Sequence, residues 1–203
     1  MAKILQFTQQ VSSKLGFERV KKRKGPEKNQ LNLFSSGSKR ILNLPSNLSP
    51  FEEALLLDER GDQRAADAYW KAISEEDSMA DAYCNLGILE SKAGRTTKAF
   101  DSFTKALKHD PRHFESHYNL GNLYLEVGDF RLARTHYQLA AEIEPSFPNV
   151  YFNLGLVHAI NEDFGAAVEA LDKFKELVPK DEGDKADGFL LSLKQSLAHK
   201  GKN

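Results

Sequence analysis

The chain has almost no thiol chemistry: Cys84 is the single cysteine among 203 residues. That excludes an intramolecular disulfide framework and suits a reducing compartment. Long apolar runs are missing too. The stretch from Met1 to Phe17 is broken by Gln6, Gln9, Gln10, Ser12, Ser13 and Lys14, which leaves it too short and too polar to span a bilayer and without a secretory apolar core. Cytoplasmic residence is the expectation. Also lacking are a glycine-rich phosphate loop, a Ser or Cys nucleophile with a base at useful spacing, and a carboxylate pair beyond ordinary surface charge. An enzyme is therefore not expected, and no cofactor is called for. His109, His113 and His117 have the spacing of helical metal ligands, but Pro111 breaks the helix that would align them. No metal site is predicted.

What the chain has instead is a period. Leu86-Gly87, Leu120-Gly121 and Leu154-Gly155 recur every 34 residues, and the same step carries Asn85 to Asn119 and Asn153, Ala99 to Ala133 and Ala167, and Pro111 to Pro145 and Pro179. Within one unit Tyr83, Leu86, Gly87 and Glu90 fall three and four apart. Ala99, Phe103 and Ala106 do the same after a break at Gly94, so each unit reads as two short antiparallel helices. Glycine on the first and alanine on the second remove bulk where the backbones cross, and Leu86 and Phe103 fill the space beside the crossing. Later copies substitute in kind, with Tyr124, Gly128, Tyr137 and Ala140, then His158, Leu171 and Phe174. His117 takes the position held by Tyr83 and Tyr151 in the sister copies.

A 34-residue unit so punctuated resembles the tetratricopeptide repeat, whose helix-turn-helix units stack into a solenoid. The resemblance implies an all-α solenoid of antiparallel helix pairs that holds other proteins. Three repeats are expected at 80–113, 114–147 and 148–181. A degenerate first repeat at 46–79 keeps Ala65, Tyr69 and Ala72 but has Glu52 and Glu53 in place of Leu-Gly, with Pro50 at a helix start. Residues 182–203 are read as a capping helix and tail, since Phe189, Leu190, Leu193 and Leu197 share a face. Residues 1–45 are expected to be a flexible basic arm. They carry ten Lys and Arg against two acids, Glu18 and Glu27, leaving 18 basic and 27 acidic residues beyond. Opposite charge permits the arm to lie on its own domain or to reach an anion that the domain repels.

In this family the first helix of each repeat lines a concave groove. The resemblance places Cys84, Asn85, Ile88, Tyr118, Asn119, Asn122, Phe152, Asn153 and Leu156 there, with Asn85, Asn119 and Asn153 similar to the asparagine ladders that grip an extended peptide backbone. A primary amide both donates and accepts, so it can hold a peptide without reading side chains. The plain alternative is that Asn only ties neighbouring helices together. Family members that clamp the acidic tails of heat-shock chaperones use Lys and Arg where this chain has Cys84, Glu115, Tyr118, Asn149 and Asn153, so that mode is not expected.

The arm offers other readings. Arg19, Lys21, Lys22, Arg23 and Lys24, followed by Gly25-Pro26, form a solvated basic run that can contact phosphate without sequence preference, since it lacks interleaved aromatics. Gln30, Leu31, Leu33 and Phe34 of QLNLF look like the short motif that docks bacterial replication proteins on the sliding clamp. The same residues can instead form a strap pairing with Ile41, Leu42 and Leu44. Ile4, Phe7, Val11 and Leu15 would share a face of an amphipathic helix, and the low-acid start is similar to an organellar transit peptide. Three functions follow: a peptide-binding adaptor, a clamp-associated replication or repair factor, and a surface scaffold.

Overall fold

The computed structural model describes residues 16–21 and 48–200. Four antiparallel helix pairs follow one another: α1 (Pro50–Glu59) with α2 (Ala65–Ser74), α3 (Met79–Lys92) with α4 (Thr96–His109), α5 (Phe114–Glu126) with α6 (Phe130–Ile143), and α7 (Pro148–Ile160) with α8 (Phe164–Leu177). A short α9 (Lys180–Gly183) and a 3-10 turn (Asp184–Ala186) lead to α10 (Asp187–Lys200), which packs on α8. There are no strands among the described residues. No helix among them is long and apolar enough to cross a membrane.

The helix boundaries have local causes. Ser49 accepts from the Glu52 amide while the Glu52 carboxylate accepts from the Ser49 amide, a reciprocal cap with Pro50 in the first turn. Asp129 and Asp163, one period apart, cap α6 and α8 through the amides of Leu132 and Ala166. Gly94 and Gly128 turn between paired helices at φ of 71° and 82°; the third copy has Glu162 there, at φ 59°. A β-carbon makes that conformation costly, by about 1–2 kcal/mol.

The helix crossings lie where the Leu-Gly pairs place them. A β-carbon built on Gly87 would come within 2.8 Å of the Phe103 ring, on Gly121 within 2.5 Å of the Tyr137 ring, and on Gly155 within 2.7 Å of Leu171. Each glycine thus seats the large side chain that its partner helix presents. Ala99, Phe103, Ala106, Ala133, Tyr137, Ala140, Ala167, Leu171 and Phe174 are all fully buried. Phe189, Leu190 and Leu193 of α10 join Phe152, Leu156 and Phe174 in one cluster, so α10 covers the apolar end of the stack. The side chain of Leu197 lies outside the described residues.

His109, His113, His117 and His136 make packing and capping contacts. His113 caps α5, its Nδ1 accepting from the Ser116 amide at 3.1 Å, while its Nε2 donates to Asp81 of α3 at 2.8 Å. The His117 Nε2 bonds the Pro111 carbonyl at 3.1 Å, as the Tyr151 hydroxyl bonds the Pro145 carbonyl one period later, also at 3.1 Å. A carbonyl only accepts, so Nε2 carries the proton; Nδ1 of His117 then accepts from Nδ1 of His136 at 3.1 Å. His109 stacks on Tyr83.

Candidate functional site

Asn85 on α3 and Asn119 on α5 are wholly buried, yet their amides are turned toward neither helix backbone. They hold the chain's own residues 16–21. The Asn119 Oδ1 accepts from the Glu18 amide and its Nδ2 donates to the Glu18 carbonyl, both at 2.7 Å. Asn85 repeats this on Val20, accepting at 3.0 Å and donating at 3.1 Å. Asn122 adds a donor to the Gly16 carbonyl at 3.2 Å. Bonds at 16, 18 and 20 have the two-residue period of an extended chain, in which the N–H and C=O of one residue face the same side. The segment runs from α5 toward α1, opposite to the order of the repeats.

Of the two dispositions that opposite charge permits, residues 17–20 take the first and lie on the domain: Val20 is 1% exposed, and Phe17 is half-buried with its ring 6.1 Å from that of Phe103. The reason lies in the groove. A buried primary amide with no partner costs about 1–3 kcal/mol, and an extended backbone of the same chain satisfies two of them. Arg19, expected in a solvated run, pairs with Asp58 of α1 at 2.9 Å. Lys21 is exposed; Lys22, Arg23 and Lys24, the docking motif Gln30, Leu31, Leu33 and Phe34, and Ile4 to Leu15 lie outside the described residues.

The other groove residues named from sequence separate into two groups. Asn122 and Asn153 extend the polar row: the Asn122 Oδ1 accepts from the Tyr137 hydroxyl at 2.7 Å and from the Asn153 Nδ2 at 3.0 Å. The Oδ1 of Asn153 is buried and has no hydrogen-bond partner among the described residues. Cys84, Ile88, Tyr118, Phe152 and Leu156 are instead buried as packing. Tyr118 sits against Phe114, Phe147 and Tyr137, and Phe152 sits edge-on to Phe174. Ile88 and Leu156 lie one period either side of Asn122 and so share its helix face, and Cys84 and Ile88 join Val20 of the segment in one apolar cluster, while Tyr118 and Phe152 pack mainly against neighbouring helices. Burial pushes the Cys84 thiol up to about 12, so the thiolate needed for reactivity does not form near neutral pH.

Electrostatics distinguish the ends of the row. Asp58, with a side chain 4% exposed, accepts from the Tyr69 hydroxyl at 3.1 Å beside its pairing with Arg19. Asp58 was not singled out in the sequence. Glu18 has its carboxyl raised above the ordinary value, by burial first; Lys21 opposes the rise and Glu115 adds to it. Among the described residues no group of three His, Cys, Asp or Glu can hold a metal ion.

Known proteins share the fold. Tetratricopeptide-repeat models match residues 80–113, 102–135 and 148–181, and a TPR repeat model matches 121–161. No curated protein sequence matches the chain. Among solved structures, MamA from Desulfovibrio magneticus RS-1 is 19% identical with a TM-score of 0.59, covering 74% of this chain and 90% of that one. The MamA RS-1 ArsTM double mutant is 20% identical with a TM-score of 0.58, covering 76% and 96%. The first TPR of Spaghetti (RPAP3), bound to the HSP90 peptide SRMEEVD, is 23% identical with a TM-score of 0.55, covering 59% and 94%. At these identities the likeness is one of fold. The period, the helix pairs it builds and the models matched between residues 80 and 181 make this chain a member of the tetratricopeptide-repeat family.

Proposed function

We propose that this chain is a non-enzymatic adaptor whose Asn row holds an extended segment of a partner protein by its backbone. One observation carries the reading: Asn85 and Asn119 each bond both the N–H and the C=O of a single residue, and these residues are two apart. That is how an edge strand is held, with two helix-borne amides standing in for a neighbouring strand. The family works by protein–protein interaction, and the similar Spaghetti repeat domain is described with a bound peptide. An acidic peptide of that kind suits this groove poorly, since Asp58 and Glu115 lie beside the segment. Backbone recognition also makes the salt dependence of binding shallow, unlike phosphate binding.

The test uses the full chain with Glu18→Pro, which removes the amide donated to Asn119 and weakens the resident segment without altering the groove. A labelled peptide of residues 14–24 should then bind saturably by fluorescence anisotropy. Adding Asn85→Ala and Asn119→Ala removes four hydrogen bonds, each worth about 1 kcal/mol net, and should weaken binding more than tenfold with helicity unchanged. Equal binding by the triple variant would remove the Asn row from the function.

A further inference from the structure

The row changes chemistry at its first-repeat end. Tyr69 and Tyr137 are equivalent in the repeat pattern, and each donates its hydroxyl to a side chain on the preceding helix: Tyr137 to Asn122, Tyr69 to Asp58. Asn122 has an amide left over and donates it to the Gly16 carbonyl. Asp58 has no N–H, so it cannot serve a backbone carbonyl in the same way. It is an acceptor only, and what it accepts from is a ligand side chain, the Arg19 guanidinium at 2.9 Å. Replacing an amide by a carboxylate converts a rung that reads backbone into one that reads charge.

Asp58 also has a standing need for a cation. It is the penultimate residue of α1, whose last turn carries no basic residue, and the helix end contributes a negative potential of its own. Among the described residues, Arg19 is the cation recorded within ion-pair distance of it. A buried carboxylate left with only a tyrosine hydroxyl is strongly disfavoured. Occupancy of the groove and neutralisation of Asp58 are therefore one event.

From this juxtaposition we propose that Asp58 makes the groove selective for arginine, and that the partner segment displacing residues 16–21 carries an arginine followed by a small β-branched apolar residue. The inference rests on the adaptor reading above. Val20, gripped by Asn85 and fully enclosed, sets the apolar requirement just after the arginine. The guanidinium suits the site better than an ammonium, because it is planar and more weakly hydrated, so it costs less to bury. The resident segment is a compromised ligand that a partner can outcompete: Glu18 places a carboxyl in a half-buried position near Glu115, where a neutral side chain fits better.

The experiment titrates the Glu18→Pro chain with four labelled peptides of residues 14–24: unaltered, Arg19→Lys, Arg19→Ala and Glu18→Gln. Expected affinities rise with Glu18→Gln and fall with Arg19→Lys, and fall at least tenfold with Arg19→Ala. Asp58→Asn in the chain keeps an acceptor for Tyr69 and should make the unaltered and Arg19→Ala peptides bind alike. Should Asp58→Asn fail to fold, the peptide series on the unaltered groove still decides. If all peptides bind equally, arginine selectivity is wrong while the backbone grip stands. If none binds, the adaptor reading itself fails and this inference with it.

Discussion

The glycine crossings and the asparagine row occupy the same helices, one or two residues apart, and behave in opposite ways. Gly121 faces the Tyr137 ring with no room for a single carbon, whereas Asn119 reaches a segment of chain more than a hundred residues away in sequence. Contacts of the first kind hold each helix pair together and exchange with nothing. Contacts of the second kind are hydrogen bonds to a backbone, and another backbone can make the same ones. The repeat thus divides its first helix into a side that fixes the fold and a side that can change partners.

The largest effect expected from this division is at Gly121→Leu. The added side chain begins 2.5 Å from the Tyr137 ring, and overpacking of this sort costs about 1–3 kcal/mol or more. A clear fall in melting temperature should follow, larger than that of any single change between residues 16 and 21. An unchanged melting temperature would move the crossing elsewhere.

Acid should act next, and on the packed side. Burial lowers both His117 and His136, the latter from 6.5 to about 4; His117 adds to the lowering at His136, whose Nδ1 it meets, and His113 adds to that at His117. The unfolded chain therefore binds more protons than the folded one between about pH 6.5 and 4. Stability from this pair is fully present above pH 6.5 and is lost as pH falls toward 4. Urea midpoints measured across that range should show the slope, and His136→Phe should reduce it. A slope indifferent to His136 would remove the pair as its source.

The smallest effect is at Glu162→Gly. The variant relieves a left-handed residue where the other repeats have glycine. A gain of at most about 1 kcal/mol is expected, since the added chain entropy of glycine opposes it. A loss would mean that Glu162 earns its place through its side chain.

Much of this was legible because repetition makes it so. Three copies of Leu-Gly mark the helix crossings in the sequence itself, and three copies of Asn mark one face of the first helices. The occupant of that face was not legible. Residues 16–21 belong to no period, and what holds them is mostly their backbone, which every residue shares. Asp58 escaped for a different reason: it lies 11 residues before Tyr69, while Asn122 lies 15 before Tyr137, so a shift by one period never aligns the two. Tyr118 and Phe152, beside the asparagines, are buried mainly against other helices, since neighbouring positions on a helix face about 100° apart and periodicity alone does not say which of the two meets the next helix.

The alternation of bonds at 16, 18 and 20 also makes the groove a ruler graduated in steps of two residues. Sliding a bound segment by one residue would turn the wrong edge of its backbone to Asn85 and Asn119, while sliding it by two would restore the backbone bonds but move Arg19 from Asp58. Because those bonds go to backbone, residues ahead of the arginine can change or be inserted without loss of the grip, and the arginine at Asp58 selects which of the two-residue registers is held. Among candidate ligands, the arginine and the apolar residue after it set the register, and the rest of the sequence is free to vary.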